Sequence, residues 1–391
     1  MAIELSYALI TPYTLQKSRT GGVIARLLSR TDLELVGAKI FAPTNEFTKQ
    51  YVEFIKGIKD DTTPQLIEAL VEYIKESFSP YEGKYQRVMI LLFKGENAVK
   101  KLADIVGTMR LDIKTGETIR DTYADYVLNR DGAIRYFEPA VIIPPDTLDK
   151  ETYKKEMLFM ANFLDSSPNI INNPLLDAED DSNKRTLVII KPDNWRHPSS
   201  RPGNIIDMLS KTGLRIIGCK LYRMSIEEAL EFYGPVKNAL REKLSLKIGK
   251  QAKDILEREL KITLNDSDIE QLTKSVGIRF ADDQFSKIVA FMSGVRPDEI
   301  APAEVTAPGK VKCMVLIYQG ENAVEKIRDV LGPTDPTKAP GGTIRRDFGT
   351  DVMVNTAHAS DSFENAKREM KIIKIEKNDI GSIIKNFFNE K

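Results

Sequence analysis

Short apolar runs bounded by polar turn residues recur along this chain, and between them apolar positions return at helical spacing. In residues 185–391 the runs predict strands near Thr186–Ile190, Arg215–Arg223, Lys312–Tyr318 and Val352–Val354. Helical spacing fits Gly203–Thr212, Ile226–Tyr233, Gln284–Met292, Ala323–Leu331 and Phe363–Met370, the last preceded by the capping run Ser360-Asp361-Ser362. Two strand–helix–strand passages within one such unit predict an α+β fold, a ferredoxin-like βαββαβ sandwich.

The same pattern is written twice. Tyr7-Ala8-Leu9-Ile10-Thr11-Pro12 answers Leu187-Val188-Ile189-Ile190-Lys191-Pro192, and Leu35–Phe41 answers Ile216–Tyr222. Gly-Glu-Asn-Ala-Val stands at 95–99 and 320–324, and Arg120 and Arg345 each fall 25 residues after its glycine. Lys155-Glu156-Met157 echoes Arg368-Glu369-Met370. Ordered self-similarity of this kind marks a tandem duplication. The expected organisation is a first domain at 1–164, a polar linker at 165–184 and a second domain at 185–391. The copies differ in length: Gly37 and Gly95 are 58 positions apart, Gly218 and Gly320 are 102 apart. An insertion at 236–283, with charged amphipathic helices at Lys250–Leu260 and Ser267–Ser275, accounts for most of the excess. Val295–Gly309 reads as a Pro- and Ala-rich surface loop, and Tyr126–Phe137 as a hairpin turning at Asn129–Gly132.

Composition narrows the function classes. Lys+Arg and Asp+Glu stand at 57 each, so no overall field points to nucleic acid or an anionic membrane, and any phosphate binding must be local. Cys219 and Cys313, both in apolar runs, read as buried thiols of a reducing compartment. The first residues carry no basic leader and no run approaches the ~20 apolar residues of a membrane span, so a cytoplasmic protein is expected.

The chemistry concentrates in the second copy. Lys191 ends its first strand, Arg328 lies on the helix after Gly-Glu-Asn-Ala-Val, Arg345 follows Gly341-Gly342-Thr343, and His358 is one of only two histidines. Three fixed cations and one imidazole suit phosphoryl transfer, which needs positioning and positive charge more than covalent help. A neutral imidazole can serve as the nucleophile. His197, in a basic loop, reads as a solvated residue, and Trp195 as loop packing.

The second copy resembles the nucleoside diphosphate kinase family. Its histidine signature stands here as Asn355-Thr356-Ala357-His358-Ala359-Ser360-Asp361-Ser362, its Lys-Pro-Asp as Lys191-Pro192-Asp193, and its Gly-Thr-Ile-Arg as Gly342-Thr343-Ile344-Arg345. Its Arg-x-x-x-Gly-x-Thr-x-Pro runs from Arg328 through Gly332 and Thr334 to Pro336. The resemblance implies that His358 accepts the phosphoryl group, oriented by Glu369 and assisted by Ser360. It implies that Lys191 contacts the γ-phosphate with Tyr233 beside it. Arg328, Thr334 and Arg345 would bind phosphates, Asn355 the sugar hydroxyl, and Val352 with Phe285 and Ile288 would sandwich the base. The implied activity is ping-pong transfer from a nucleoside triphosphate to a nucleoside diphosphate. No Cys/His or carboxylate cluster has metal-ligand spacing, so Mg²⁺ is expected to arrive with the nucleotide, within water-mediated reach of Asp361.

Two departures stand out. The usual stacking aromatic aligns with Gln284, one position before Phe285, and the 236–283 insertion enters just ahead of that helix. The first copy has no histidine; Thr11 stands for Lys191, Ala103 for Arg328, and only Arg120 persists. Its histidine position falls at Pro145 on one anchor and near Ala133 on the other. The expectation is a silent copy packed against an active one as a pseudo-dimer within one chain, itself part of a homo-oligomer. The alternative is a non-enzymatic nucleotide-binding or scaffolding protein of two regulatory copies; joint retention of Lys191, Arg328, Arg345 and His358 favours the enzyme.

Overall fold

The computed structural model describes residues 3–58, 64–110, 115–175 and 185–389. These divide into a larger unit, residues 3–221 with 314–389, and a helical unit, residues 222–313. The strands are β1 (Ile3–Ile10), β2 (Glu34–Phe41), β3 (Val88–Glu96), β4 (Asp125–Leu128), β5 (Ile134–Glu138), β6 (Val141–Ile142), β7 (Arg185–Ile190), β8 (Arg215–Tyr222), β9 (Cys313–Gln319) and β10 (Ala357–Ala359).

Eight of them form one sheet in the order β10–β7–β9–β8–β2–β3–β1–β6, and β4 pairs with β5 in the hairpin read from the Asn129–Gly132 turn. Each half shows the ferredoxin-like arrangement, fourth strand, first, third, second. The halves meet where β2 pairs antiparallel with β8 through the single register pair Lys39 and Lys220. The duplicated βαββαβ plan is therefore realised as a continuous intrachain pseudo-dimer.

Two lysines facing each other at that seam would repel, and the fold separates their charges. The Lys39 ammonium donates to the carbonyls of Leu164 (2.6 Å) and Ser167 (2.7 Å), at the C-terminal end of the helix Lys150–Ser166. Lys220 donates to Ile373 and Lys374, both at 3.3 Å, just past the helix Phe363–Ile372. Each cation thus satisfies carbonyls that a helix end leaves unpaired, on its favourable dipole side. Burial lowers the Lys39 pKa to about 8.

On one face a single apolar core runs through both halves, from Ala8, Ile10, Val23 and Leu91 to Val188, Ile190, Ile205 and Leu316. The helices Thr20–Ser29 and Arg201–Ser210 cross there at close range. A Cβ on Gly21 would sit 2.4 Å from the Asp207 backbone, and one on Gly203 would sit 2.2 Å from the Ala25 nitrogen. Only glycine permits that approach. A second core fills the other face of the first half, and it takes in Ile380 and Ile384 of the C-terminal helix Ile380–Asn389. That helix is fastened by Lys385 to Asp165 at 2.7 Å. Residues 167–175 also lie against the sheet: Ile171 donates its N–H to Ile217, and Ile170 bridges to Gly218.

In the helical unit one continuous helix spans Gly234–Leu260, longer than the Lys250–Leu260 segment that its charged face predicts, followed by Asp266–Leu272 and Ile278–Ser293. Arg241 clasps Asp282 through two 2.7 Å bonds across this unit. The 295–309 stretch is a loop with two 3₁₀ turns. Among the described residues no helix is long and apolar enough to cross a membrane, and the side chains of Cys219 and Cys313 are buried.

Candidate active site

The site grows from the end of β7. Antiparallel pairing sets Ala357, His358 and Ala359 opposite Ile190, Ile189 and Val188. The strand expected at Val352–Val354 is not there. Asp351 accepts the N–H groups of Met353 (2.7 Å) and Val354 (2.8 Å) and holds them in a turn, so the strand forms at His358 itself. Val352, expected to face the base, is 57% exposed.

The strand ends are tied crosswise. Lys191 donates its N–H to the Thr356 carbonyl (2.9 Å), and the Asn194 amide donates to Lys191 (3.0 Å) and Thr356 (2.8 Å) carbonyls. Asn194 is a positioning residue that the motif reading passed over, although it directly follows Lys-Pro-Asp. Thr356 holds φ at +77°, a left-handed backbone uncommon for a residue with a Cβ. This strain sits two residues before the histidine, as functional sites often show.

Two of the three expected cations, Lys191 and Arg345, are bonded into this frame. Lys191 Nζ donates to Asn355 Oδ1 at 2.6 Å, and the Asn355 amide donates to the Thr334 (3.1 Å) and Val352 (2.8 Å) carbonyls. Arg345 reaches the Gly332 carbonyl (2.9 Å) and the Ala357 carbonyl (3.1 Å), beside His358. Arg328 is exposed on the helix Ala323–Leu331, whose end the Gly332 N–H closes. Burial first, and the neighbouring Arg345 charge second, lower the Lys191 pKa to about 8.

His358 is partly exposed. Its Nε2 lies 2.9 Å from Glu369 Oε2, which also accepts the Ser360 hydroxyl at 2.7 Å. A buried carboxylate at that nitrogen fixes the tautomer: Nε2 carries the proton, and Nδ1 keeps the lone pair. A polyanion could be held by Lys191 and Arg345 while Nδ1 acts as nucleophile. Tyr233, Phe285 and Ile288 belong to the helical unit. There Tyr233 is buried against Phe232, Phe285 is 4% exposed with Lys237 over its ring, and Ile288 is half-buried.

The first half carries the same frame without the chemistry. Thr11 N–H donates to Ala140, whose φ is +62°, and Arg120 donates to the Gly107 and Val141 carbonyls. These match the Lys191–Thr356 and Arg345–Gly332–Ala357 contacts one for one. The histidine position is therefore Ile142, not Pro145 or Ala133; unequal loops before the following helix had displaced both sequence anchors. Where Lys191 would stand, Thr11 donates to the buried Glu138 carboxylate, and Glu156, at the Glu369 position, is bonded by Tyr7. Burial raises both carboxyls from 4.5 to about 7. Folded pKa values above the unfolded ones mean that the folded chain holds these protons more tightly. The stability they contribute is full below about 4.5 and disappears as pH climbs through about 7. Between pH 5 and 8, urea unfolding should show a loss on the order of 2–4 kcal/mol that a Glu138→Gln/Glu156→Gln chain lacks. Equal pH dependence in the two proteins would refute this.

The chain is similar in sequence to known proteins. The family model described as "Nucleoside diphosphate kinase" matches residues 4–131 and 299–387, more than half of the chain. The nucleoside diphosphate kinase of Anaeromyxobacter dehalogenans strain 2CP-C is 33% identical over 187 residues, covering 48% of this chain and 86% of that protein. That of Dehalococcoides mccartyi strain BAV1 is 29% identical over 189 residues, covering 48% and 90%. Among solved structures, an NDP kinase from Pyrobaculum aerophilum is 27% identical, covering 48% of this chain and 94% of its own, with a TM-score of 0.31.

Proposed function

The chain belongs to the nucleoside diphosphate kinase family, and on that premise we propose that its second half passes phosphoryl groups from a nucleoside triphosphate to a nucleoside diphosphate through His358. The observation that carries the reading is the imidazole oriented by Glu369 beside Lys191 and Arg345.

In the first half-reaction the Nδ1 lone pair attacks the γ-phosphorus in line with the β–γ bridge. The Nδ1–P bond forms, the P–O bridge bond breaks, and the bridge electrons leave on the diphosphate. Nε2 keeps its proton, and Glu369 balances the charge that develops on the ring. Lys191, Arg345 and Arg328 neutralise the transferring oxygens, while Asn355 aims the Lys191 ammonium. Mg²⁺, entering with the nucleotide, would supply further positive charge at the phosphates, with Asp361 the side chain expected to reach it through water. In the second half-reaction an acceptor diphosphate oxygen attacks phosphorus, the N–P bond breaks, and Nδ1 recovers its lone pair.

The test is incubation with γ-labelled ATP followed by GDP. An acid-labile, alkali-stable label should saturate at one per chain, since the first half has Ile142 in place of a histidine, and GDP should discharge it. Absence of label, or label indifferent to GDP, overturns the proposal.

Lys191 sets the alkaline limb. Its ammonium is present below about 8 and lost above, so kcat/KM for the donor should fall as pH passes about 8. A Lys191→Arg chain, with a lower plateau, should keep that plateau to higher pH. A wild-type profile flat to pH 10 contradicts the assignment.

A further inference from the structure

Asp193 follows Lys191 by two residues, and its side chain is only 3% exposed. Neither carboxylate oxygen meets a hydrogen-bond donor among the described residues. A buried anion without donors of its own is costly unless cations offset the lost hydration. Arg201, at the start of the helix Arg201–Ser210, lies 3.8 Å from it. Burial raises the Asp193 pKa, and Arg201, then Lys191 and the exposed Arg196, act against that rise. The Arg201 guanidinium also donates to the Phe348 carbonyl and lies over the Phe348 ring at 5.8 Å. Phe348 ends the helix Ile344–Phe348, which carries Arg345. Arg201 thereby joins the Lys191 turn to the Arg345 helix.

The two halves separate bracing from charge. By the repeat alignment Arg201 corresponds to Arg19, Phe348 to Tyr123 and Asp193 to Tyr13. Arg19 donates to the Tyr123 carbonyl at 2.6 Å, so the bond from arginine to helix end is common to both halves. The buried carboxylate is not. Arg19 pairs instead with Asp125 of β4, which is 36% exposed and also pairs with Lys17. Where Thr11 stands in place of Lys191, the buried aspartate is gone as well. Bracing therefore needs the arginine alone, and the buried anion accompanies the lysine.

The charges around Lys191 agree with that division. Burial, then Arg345, lower its pKa, while Asp193, then Asp351, raise it. Asp351 is exposed and accepts the N–H groups of Met353 and Val354, so Asp193 is the buried one of these two anions. We propose that Asp193 is a positioning residue of phosphoryl transfer: braced by Arg201, its carboxylate supplies the fixed negative charge that lets Lys191 stay an ammonium ion beside Arg345 until phosphate arrives. An opposite charge close by favours the charged form of a buried group. This rests on the transfer at His358 proposed for the second half.

Asp193→Asn removes the charge and keeps the shape. In the full chain, donor kcat/KM at pH 9 divided by its value at pH 6 should fall about 3–10-fold below the wild-type ratio, because the lysine gives up its proton earlier. In a Lys191→Arg background the same substitution should leave that ratio within about twofold, since a guanidinium does not titrate there. A ratio unmoved by Asp193→Asn, or moved equally in the Lys191→Arg background, overturns the proposal; a loosened turn would lower turnover at both pH values alike. The titration can also be read without nucleotide, by NMR of isotope-labelled lysine with Lys191→Arg assigning the signal. Lys191 should deprotonate at lower pH in Asp193→Asn than in the wild type. An unmoved Lys191 signal overturns the proposal even where His358 takes up label, whereas a moved signal with no label in the wild type places the failure in the transfer reading. Should the asparagine chain not fold, Asp193→Ser, which leaves room for water, replaces it; unfolding of both would assign Asp193 to stability alone and overturn the proposal.

Discussion

A His358→Gln chain is expected to take up no label from γ-labelled ATP and to lose nucleoside triphosphate to diphosphate transfer by about 10⁴–10⁶-fold, the scale on which removal of a nucleophile is felt. Glutamine is the informative replacement because its amide can still donate to Glu369, whose carboxylate would otherwise lose a partner in a buried position. The urea midpoint should therefore hold while turnover disappears. Direct transfer between two nucleotides bound together would survive the substitution, so appreciable residual turnover rejects the covalent route. Loss of folding in this variant would show instead that the imidazole ring itself is needed for packing, and His358→Asn would then carry the measurement.

Arg345→Ala should cost about 10³-fold or more in kcat/KM, the lower range for removal of an arginine that neutralises a transferring phosphoryl group. Part of any such loss could be structural, since Arg345 holds the Gly332 and Ala357 carbonyls. The first half contains the control: Arg120 makes the same two contacts, to Gly107 and Val141, where no histidine follows. Arg120→Ala should lower stability by about 1–3 kcal/mol, as Arg345→Ala does, yet leave turnover within about twofold. If the two substitutions reduce turnover alike, Arg345 acts only by holding its loop. Steady-state kinetics and urea unfolding on both variants separate the cases.

Much of this was legible in the residues themselves. The repeated apolar blocks carried the βαββαβ plan, and the eight residues from Asn355 to Ser362 pointed to the candidate site. Illegibility had two physical origins. β10 consists of Ala-His-Ala, with little intrinsic strand preference, and is made a strand by pairing with β7. The more apolar Val352–Val354 is claimed by the Asp351 side chain as a turn. The Ile142 equivalence was hidden because linear spacing fails across loops of unequal length; the shared positive φ at Ala140 and Thr356 reveals it. The helix Ile380–Asn389 is amphipathic, but nothing local says that its apolar face completes the core of the other half.

The two outer strands of the sheet are only three and two residues long. A free rim that short offers almost no ladder of amide and carbonyl groups on which another polypeptide could zip itself. The longer rims have been spent on each other inside the molecule. Growth of the sheet by β-addition is thereby disfavoured at both of its ends.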